Sequence, residues 1–269
     1  MTVKDKILQG RTYLGIELGS TRIKAVLIDD SFSVIASGSK QWENRFENGC
    51  WTYSLDDIHG GIQACYKDLA ENVKAQYGIY PETYGAMGIS AMMHGYMAFD
   101  KNDKLLVPFR TWRNTMTAQA AGELTKLLGF NIPQRWSIAH LYQAVLNKES
   151  HVPYIAYINT LAGYVHKRLT DRFEVGVGEA SGIFPVEGIG YKKEYCEPTE
   201  KSLAEKGFDH KLKDILPAVR NAGEKGAVLT EEGARFLDPE GRLKAGVPVC
   251  PPEGDAGTGM VATDSVLKK

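Results

Sequence analysis

The stretch Val249-Cys250-Pro251-Pro252-Glu253-Gly254-Asp255-Ala256-Gly257-Thr258-Gly259-Met260 sets an acidic residue in a Gly-rich turn, ahead of small residues that fit a helix start. A second acidic Gly-rich turn, Gly15-Ile16-Glu17-Leu18-Gly19-Ser20-Thr21, stands near the other end of the chain. Two such turns, far apart in sequence, match the needs of a phosphate-transfer cleft. One seats phosphate and metal, and the other activates the acceptor.

Around the early turn three short β-type runs follow one another, at 13–17, 23–29 and 33–38, separated by Gly-Ser-Thr and Asp-Asp-Ser. Both faces of the second run are mostly apolar, which predicts a strand buried on both sides. A long helix follows. Ser54 and Asp57 fit a capping pair, and Leu55, Ile58, Ile62, Cys65, Leu69 and Val73 step by three or four residues along one face. Gly78 ends it. Strands at 84–91 and 96–99 flank Met92-Met93-His94-Gly95, with a turn at 100–103 and extended chain at 105–109. Residues 115–128 read as a helix stopped by Gly129, and 139–147 as a second. The spacing of Ile155, Ile158, Leu161, Val165 and Leu169 predicts a third. A strand is expected at 173–177, short helical patches within 185–225, and a last strand at 247–250 entering the Gly-Asp turn. Strands alternating with helices predict a layered α/β domain, preceded by an N-terminal tail at 1–11 that fits a short helix. The early turn is followed by a strand and lacks G-x-G-x-x-G spacing, so it is not a dinucleotide fingerprint. No Gly-Lys-Ser/Thr follows it, so it is not a P-loop.

Composition narrows the class. The 269 residues are 43% hydrophobic and 24% charged with net charge −1, the profile of a globular protein without a basic surplus. Neither nucleic acid nor an acidic membrane is an expected partner. Four cysteines form no C-x-x-C pair, which argues against zinc and for free thiols in a reducing cytoplasm. The start Met1-Thr2-Val3-Lys4-Asp5-Lys6 has no apolar core of a signal peptide. No apolar run approaches the roughly 20 residues of a membrane helix.

Two residue sets carry chemistry. Glu17, at a strand end, can hold Mg²⁺ directly or through water. Gly19 bares backbone N–H groups for phosphate oxygens, Ser20 and Thr21 add hydroxyls, and Lys24 adds positive charge. An ordinary hairpin turn is the alternative. Asp255, beside Gly254, reads as a general base or as a helix N-cap. Gly254, Gly257 and Gly259 favour the base, because a helix start that serves only structure does not need them. His94 in Met-Met-His-Gly reads as a packed residue or a ligand contact, with Gly95 leaving room. Trp112 can stack on a ligand or join the core. Arg113 can fork onto hydroxyls or sit in a surface ion pair.

These motifs resemble the FGGY carbohydrate kinase family of the actin-like ATPase superfamily. Glu17-Leu18-Gly19-Ser20-Thr21 is similar to its Asp-x-Gly-Thr/Ser-Thr/Ser motif, and Gly254-Asp255-Ala256-Gly257-Thr258-Gly259 to its Gly-Asp-x-x-x-x-Gly turn. Met93-His94-Gly95 resembles the Met-His-Gly of xylulokinases. Thr111-Trp112-Arg113-Asn114 falls at a sugar-pocket segment, and Leu169-Thr170 with Glu179-Ala180-Ser181 resembles a region lining the same cleft. The chain departs at Glu17, where Asp is usual, at Asn114, near a usual Asp, and at Asp171, in the place of a Gly. The resemblance runs from about Tyr13 to Val266.

It implies a ribonuclease H-like α/β domain with a mixed sheet flanked by helices, at 12–269, with the C-terminal nucleotide domain absent. It implies ATP and Mg²⁺ as cofactors, and phosphorylation of a primary hydroxyl on a ketose or polyol such as a xylulose-like sugar. Asp255 would be the catalytic base and Glu17 the metal residue. Gly19, Ser20, Thr21, Lys24 and Gly254 would face the nucleotide phosphates. Met93, His94, Trp112, Arg113 and Asn114 would hold the sugar. A fragment without the second domain would have little activity. The implied partners are the sugar, the missing kinase domain and a second copy in a homodimer, in the cytoplasm. A non-catalytic sugar sensor on the same fold is the alternative, with Glu17 as its best support.

Overall fold

The computed structural model describes residues 1–224 and 226–263. Residues 264–269, the last of the expected domain, lie outside the described residues.

The expected N-terminal tail is docked rather than loose. Helix α1 (Val3–Leu8) opens on a capping box between Thr2 and Asp5. Ile7 is 1% exposed in the main core, and Lys6 reaches Asp29 at 2.8 Å and Asp30 at 2.6 Å. Strands β1 (Thr12–Leu18), β2 (Arg22–Asp29) and β3 (Val34–Gln41) then form an antiparallel meander. A short hairpin, β4 (Arg45–Glu47) and β5 (Cys50–Thr52), leads to α2 (Leu55–Tyr77). The Ser54–Asp57 capping box starts α2, and Gly78 closes it in the left-handed region at φ 77°. Strand β6 (Ala86–Ala91) pairs parallel with β1, and β7 (Met97–Phe99) follows.

Helices α3 (Ala118–Leu128) and α4 (Ser137–Leu146) form a second layer with its own core. Next come β8 (Tyr157–Asn159) and α5 (Leu161–Thr170). The predicted third helix therefore starts later than its spacing implied: Thr160 caps α5 at Gly163 N–H, and Ile158 belongs to β8. Strand β9 (Glu174–Gly176) runs into the single turn α6 (Val177–Ala180) and the hairpin β10 (Val186–Glu187) and β11 (Gly190–Tyr191). Within 185–225 the helical patches are α7 (Lys193–Glu205), which is 13 residues long, and α8 (Leu212–Ile215), before β12 (Ala218–Arg220). The chain then makes β13 (Ala227–Val228), α9 (Glu231–Leu237), β14 (Pro248–Val249), β15 (Glu253–Gly254) and α10 (Asp255–Ala262).

The main sheet runs β13-β14-β6-β1-β2-β3, with β15 also on β6, and is mixed. Along β1, Thr12, Leu14, Ile16 and Leu18 point into the core, and Ile23, Ala25 and Leu27 do the same on β2. Helix α2 covers this face, so closely at β3 that a Cβ on Gly38 would lie 2.8 Å from Leu69 Cα. It also serves the outer edge of β3. Ser39 N–H donates to Asp68 at 2.8 Å, and Asn72 donates to the Ser37 carbonyl at 2.8 Å.

The other sheet face is open, contrary to the expectation of two buried sides. Tyr13 is 38% and Val26 36% exposed there. Gly15 and Gly88 leave it concave, and Glu17, Lys24 and Ser90 keep it polar at one end. A strand with few charges on its outer face thus looks doubly buried in sequence while lining a cleft. The four cysteines are all free, with Cys50 and Cys65 buried and Cys250 exposed. Among the described residues no helix is long and apolar enough to cross a membrane.

Candidate active site

The turn between β1 and β2 is built from its main chain outward. Gly19 N–H donates to Arg22 C=O at 3.1 Å and closes the turn. The indole of Trp42 donates to Gly19 C=O at 2.7 Å, the Tyr53 hydroxyl to Ser20 C=O, and Trp42 N–H to Thr21 C=O at 3.2 Å. The Gly19 amide is thus used inside the turn, while Gly19 itself still lines the cavity there. Glu17 stands opposite Lys24 in the β1–β2 register. Both line a cavity of about 400 Å³ with Ser20 and Thr21.

The second turn hangs on β6. Cys250 N–H donates to Met87 C=O at 2.8 Å, and β15 runs beside Ser90 and Ala91. Gly254 is the N-cap of α10 and Asp255 its first residue, with no side-chain capping bond. The N-cap alternative for Asp255 is therefore excluded. Its Oδ1 instead accepts from Met93 N–H at 3.1 Å. Gly254 cannot carry a side chain: a Cβ would overlap Met93 Cγ and lie 2.7 Å from Glu179 Oε2. Asp255 lines two cavities. One, of about 510 Å³, spreads over the open sheet face past Glu17, Lys24 and Ser90. The other, of about 260 Å³, is walled by Ser20, Met93, His94, Trp112 and Arg135.

In that smaller cavity His94 sits at φ 68° and Gly95 at φ 91°. The left-handed region is uncommon for a histidine, and such residues persist where the surroundings over-determine them. Here a Cβ on Gly95 would meet Phe109 Cε2 at 2.7 Å, and one on Gly182 would meet His94 Nδ1 at 2.5 Å. Burial lowers the His94 pKa, the Arg135 charge adds to that, and Asp255 partly opposes it. The ring is neutral near pH 7. Trp112, 39% exposed, donates its indole N–H to Ser20 Oγ at 3.2 Å and so ties this cavity to the one at the β1–β2 turn.

The structure does not bring the last two expected sugar contacts to this wall. The Arg113 guanidinium lies 3.8 Å over the Trp51 ring, and Arg113 does not line the cavity. Asn114 is 3% exposed. It accepts from Trp51 N–H at 2.9 Å and donates to Trp51 C=O at 2.8 Å and Thr111 C=O at 3.0 Å. Its carboxamide is committed to main chain, which corrects its expected place in the pocket.

Two site residues carried no assigned role in the sequence reading. Arg135 follows an ordinary loop and has no local motif. Glu179 is 0% exposed, and neither carboxyl oxygen has a hydrogen-bond partner. Burial raises its pKa to about 8, with Glu253 and Asp255 adding to the effect and the Thr160 hydroxyl opposing it. Its place in Glu179-Ala180-Ser181 was the one available signal.

Comparison with known proteins identifies the family and the fold. The model of the N-terminal domain of the FGGY family of carbohydrate kinases matches residues 12–262. A xylulose kinase of Haemophilus influenzae is 24% identical over 239 residues, which are 84% of this chain and 47% of that protein. Another from Lactococcus lactis is 23% identical over 124 residues, 43% of this chain and 23% of that protein. Among solved structures, a xyloylose kinase from Brucella ovis has TM-score 0.72 at 22% identity, covering 91% of this chain and 49% of its own. Plasmodium falciparum glycerol kinase with ADP has TM-score 0.71 at 14% identity, covering 94% and 50%. The chain thus spans about half the length of these structural neighbours or of the Haemophilus relative. The shared architecture is the actin-like ATPase fold, here as a mixed sheet flanked by helices. The match across 12–262 makes this chain a member of the FGGY family of carbohydrate kinases, as its N-terminal domain.

Proposed function

We propose that this chain is the sugar-binding half of a kinase that transfers phosphate from ATP to a primary hydroxyl of a ketose or polyol, a xylulose-like sugar being the first choice. One observation carries the reading: Asp255 lines both the His94–Trp112 cavity and the sheet-face cavity that holds Glu17 and Lys24. A sugar seated on the first presents its hydroxyl at the boundary with the second. Met93 N–H fixes the Asp255 carboxylate there.

Asp255 accepts the hydroxyl proton while the oxygen bonds to phosphorus and the bond to the leaving ADP breaks. Lys24, Ser20 and Thr21 orient phosphate oxygens, and the small Gly254 lets the turn approach. His94, neutral, exchanges hydrogen bonds with sugar hydroxyls, and Trp112 offers an apolar face. Among the described residues no three acidic, His or Cys groups form a ready metal cage. Mg²⁺ does not need one, since it takes one or two carboxylates with phosphate and water, and Glu17 fits that part. Bound there, the ion would neutralise phosphate charge. The half-length match to the relatives supports a further point: this chain alone has little kinase activity, because the adenosine contacts belong to the other half.

A replacement of Asp255 by Asn in a protein carrying both halves tests the reading. Turnover should fall by about 10²–10⁴-fold, while a sugar-induced rise in melting temperature remains. Unchanged turnover would sink the assignment of the base. Glu17, one methylene longer than the usual Asp, favours a second reading, a non-catalytic sugar sensor. In that case sugar binds, and no ATP-dependent product forms with either Asp or Asn at 255.

A further inference from the structure

Glu179 sits in α6, directly behind the Asp255 turn, and is sealed from solvent. Its Oε2 lies 2.7 Å from where Gly254 would carry a Cβ, and Met93 packs against the same point. A second acid braces the turn differently. The Glu253 carboxylate fills the space left by Gly176 and Gly178 and accepts Glu179 N–H at 3.1 Å. Glu253 is thus anchored by main chain, whereas the Glu179 carboxyl has no hydrogen-bond partner among the described residues.

We propose that Glu179 is the positioning residue for Asp255: sealed behind Gly254, its carboxyl keeps the Glu253–Asp255 turn aimed into the cleft, and a charge placed there displaces that turn. The inference rests on the reading of Asp255 as the base. The groups that face Glu179 are Glu253 from β15, Asp255 from α10, the buried Tyr191 hydroxyl from β11 and the Thr160 hydroxyl at the start of α5. His94 lies across Gly182 and is neutral above its lowered pKa. Burial and two carboxylates oppose a new negative charge there, and the Thr160 hydroxyl favours it only in part. Burial raises the Glu179 pKa to about 8, so the charge arrives near pH 8.

Met93 reports on the turn directly, through its N–H on Asp255 and its side chain on Gly254. The chain has seven methionines, so methyl-¹³C-methionine labelling gives few signals, and Met93→Leu identifies the relevant one. The expected result is a Met93 methyl shift between pH 6 and 9.5 with a midpoint near 8. In Glu179→Gln the signal should stay at its low-pH position throughout, because the amide is a neutral isostere. A flat signal in the wild-type chain, or the same midpoint in Glu179→Gln, overturns the proposal. If the variant does not fold, the wild-type titration alone decides. No sugar or nucleotide enters the measurement, so failure of the kinase reading leaves this result standing.

Discussion

Asn114 spends its carboxamide on the main chain of β5 and its own loop. Removing it leaves the half-buried Trp51 N–H without a partner, while the Trp51 C=O keeps the Thr111 N–H. Asn114→Ala should therefore cost about 1–3 kcal/mol or more in urea unfolding, while any sugar-induced thermal shift persists. Arg113→Ala should cost much less, about 0.5–1 kcal/mol, as an exposed cation over a ring. An Asn114→Ala variant that kept its stability and lost sugar binding would restore the pocket role. The contrast with Asp255 shows what was legible at this scale. Asp255 and Glu17 announce themselves through glycines within two residues, a local signal. Asn114 and Glu179 are decided by partners from distant segments, Trp51 in one case and Gly254 in the other, and no spacing reveals those.

Helix α2 shows the same division among elements. Its bounds were readable because Ser54, Asp57 and Gly78 are local stop and start signals. Its docking was not readable: Gly38 has to be glycine because the α2 backbone passes against it, with Leu69 Cα 2.8 Å from the absent Cβ. Gly38→Ala should overpack this contact and cost about 1–3 kcal/mol, or more where the helix cannot shift. Equal melting temperatures for variant and parent would refute the close approach. Other elements mislead for identifiable reasons. The apolar steps at Ile155 and Ile158 continue the α5 period by chance, while Thr160 sets the true start. Helix α9 has only seven residues and drew no expectation, since its packing against α5 and α2 holds it more than its pattern does.

Across the whole molecule, burial of titratable groups sets the pH range of stability. His140, 0% exposed with neither ring nitrogen bonded, has its pKa lowered to about 3 by burial, with the Arg110 charge adding. A depressed histidine leaves the fold fully stable above its unfolded pKa, near 6.5. Stability is lost as pH falls, because the unfolded chain takes the proton first. Between pH 6.5 and 5 this one group should remove about 2 kcal/mol. In His140→Leu that part of the acid loss should vanish, as urea melts at the two pH values would show. An unchanged acid loss would mean that water reaches the His140 ring. Glu179 acts in the opposite direction: its folded pKa is raised, so its contribution is full below about 4.5 and disappears as pH rises through about 8. Glu179→Gln should flatten that alkaline decline in melting temperature.

The outer rim of β3 has a consequence for assembly. A terminal strand with free amides and carbonyls is a template on which another chain can extend a ladder. Here Asp68 and Asn72 of α2 already occupy Ser39 N–H and Ser37 C=O. Part of that template is therefore already taken, and exchange of Asp68 and Asn72 for alanine should uncover a sticky margin and raise fibrous aggregation, read by thioflavin fluorescence.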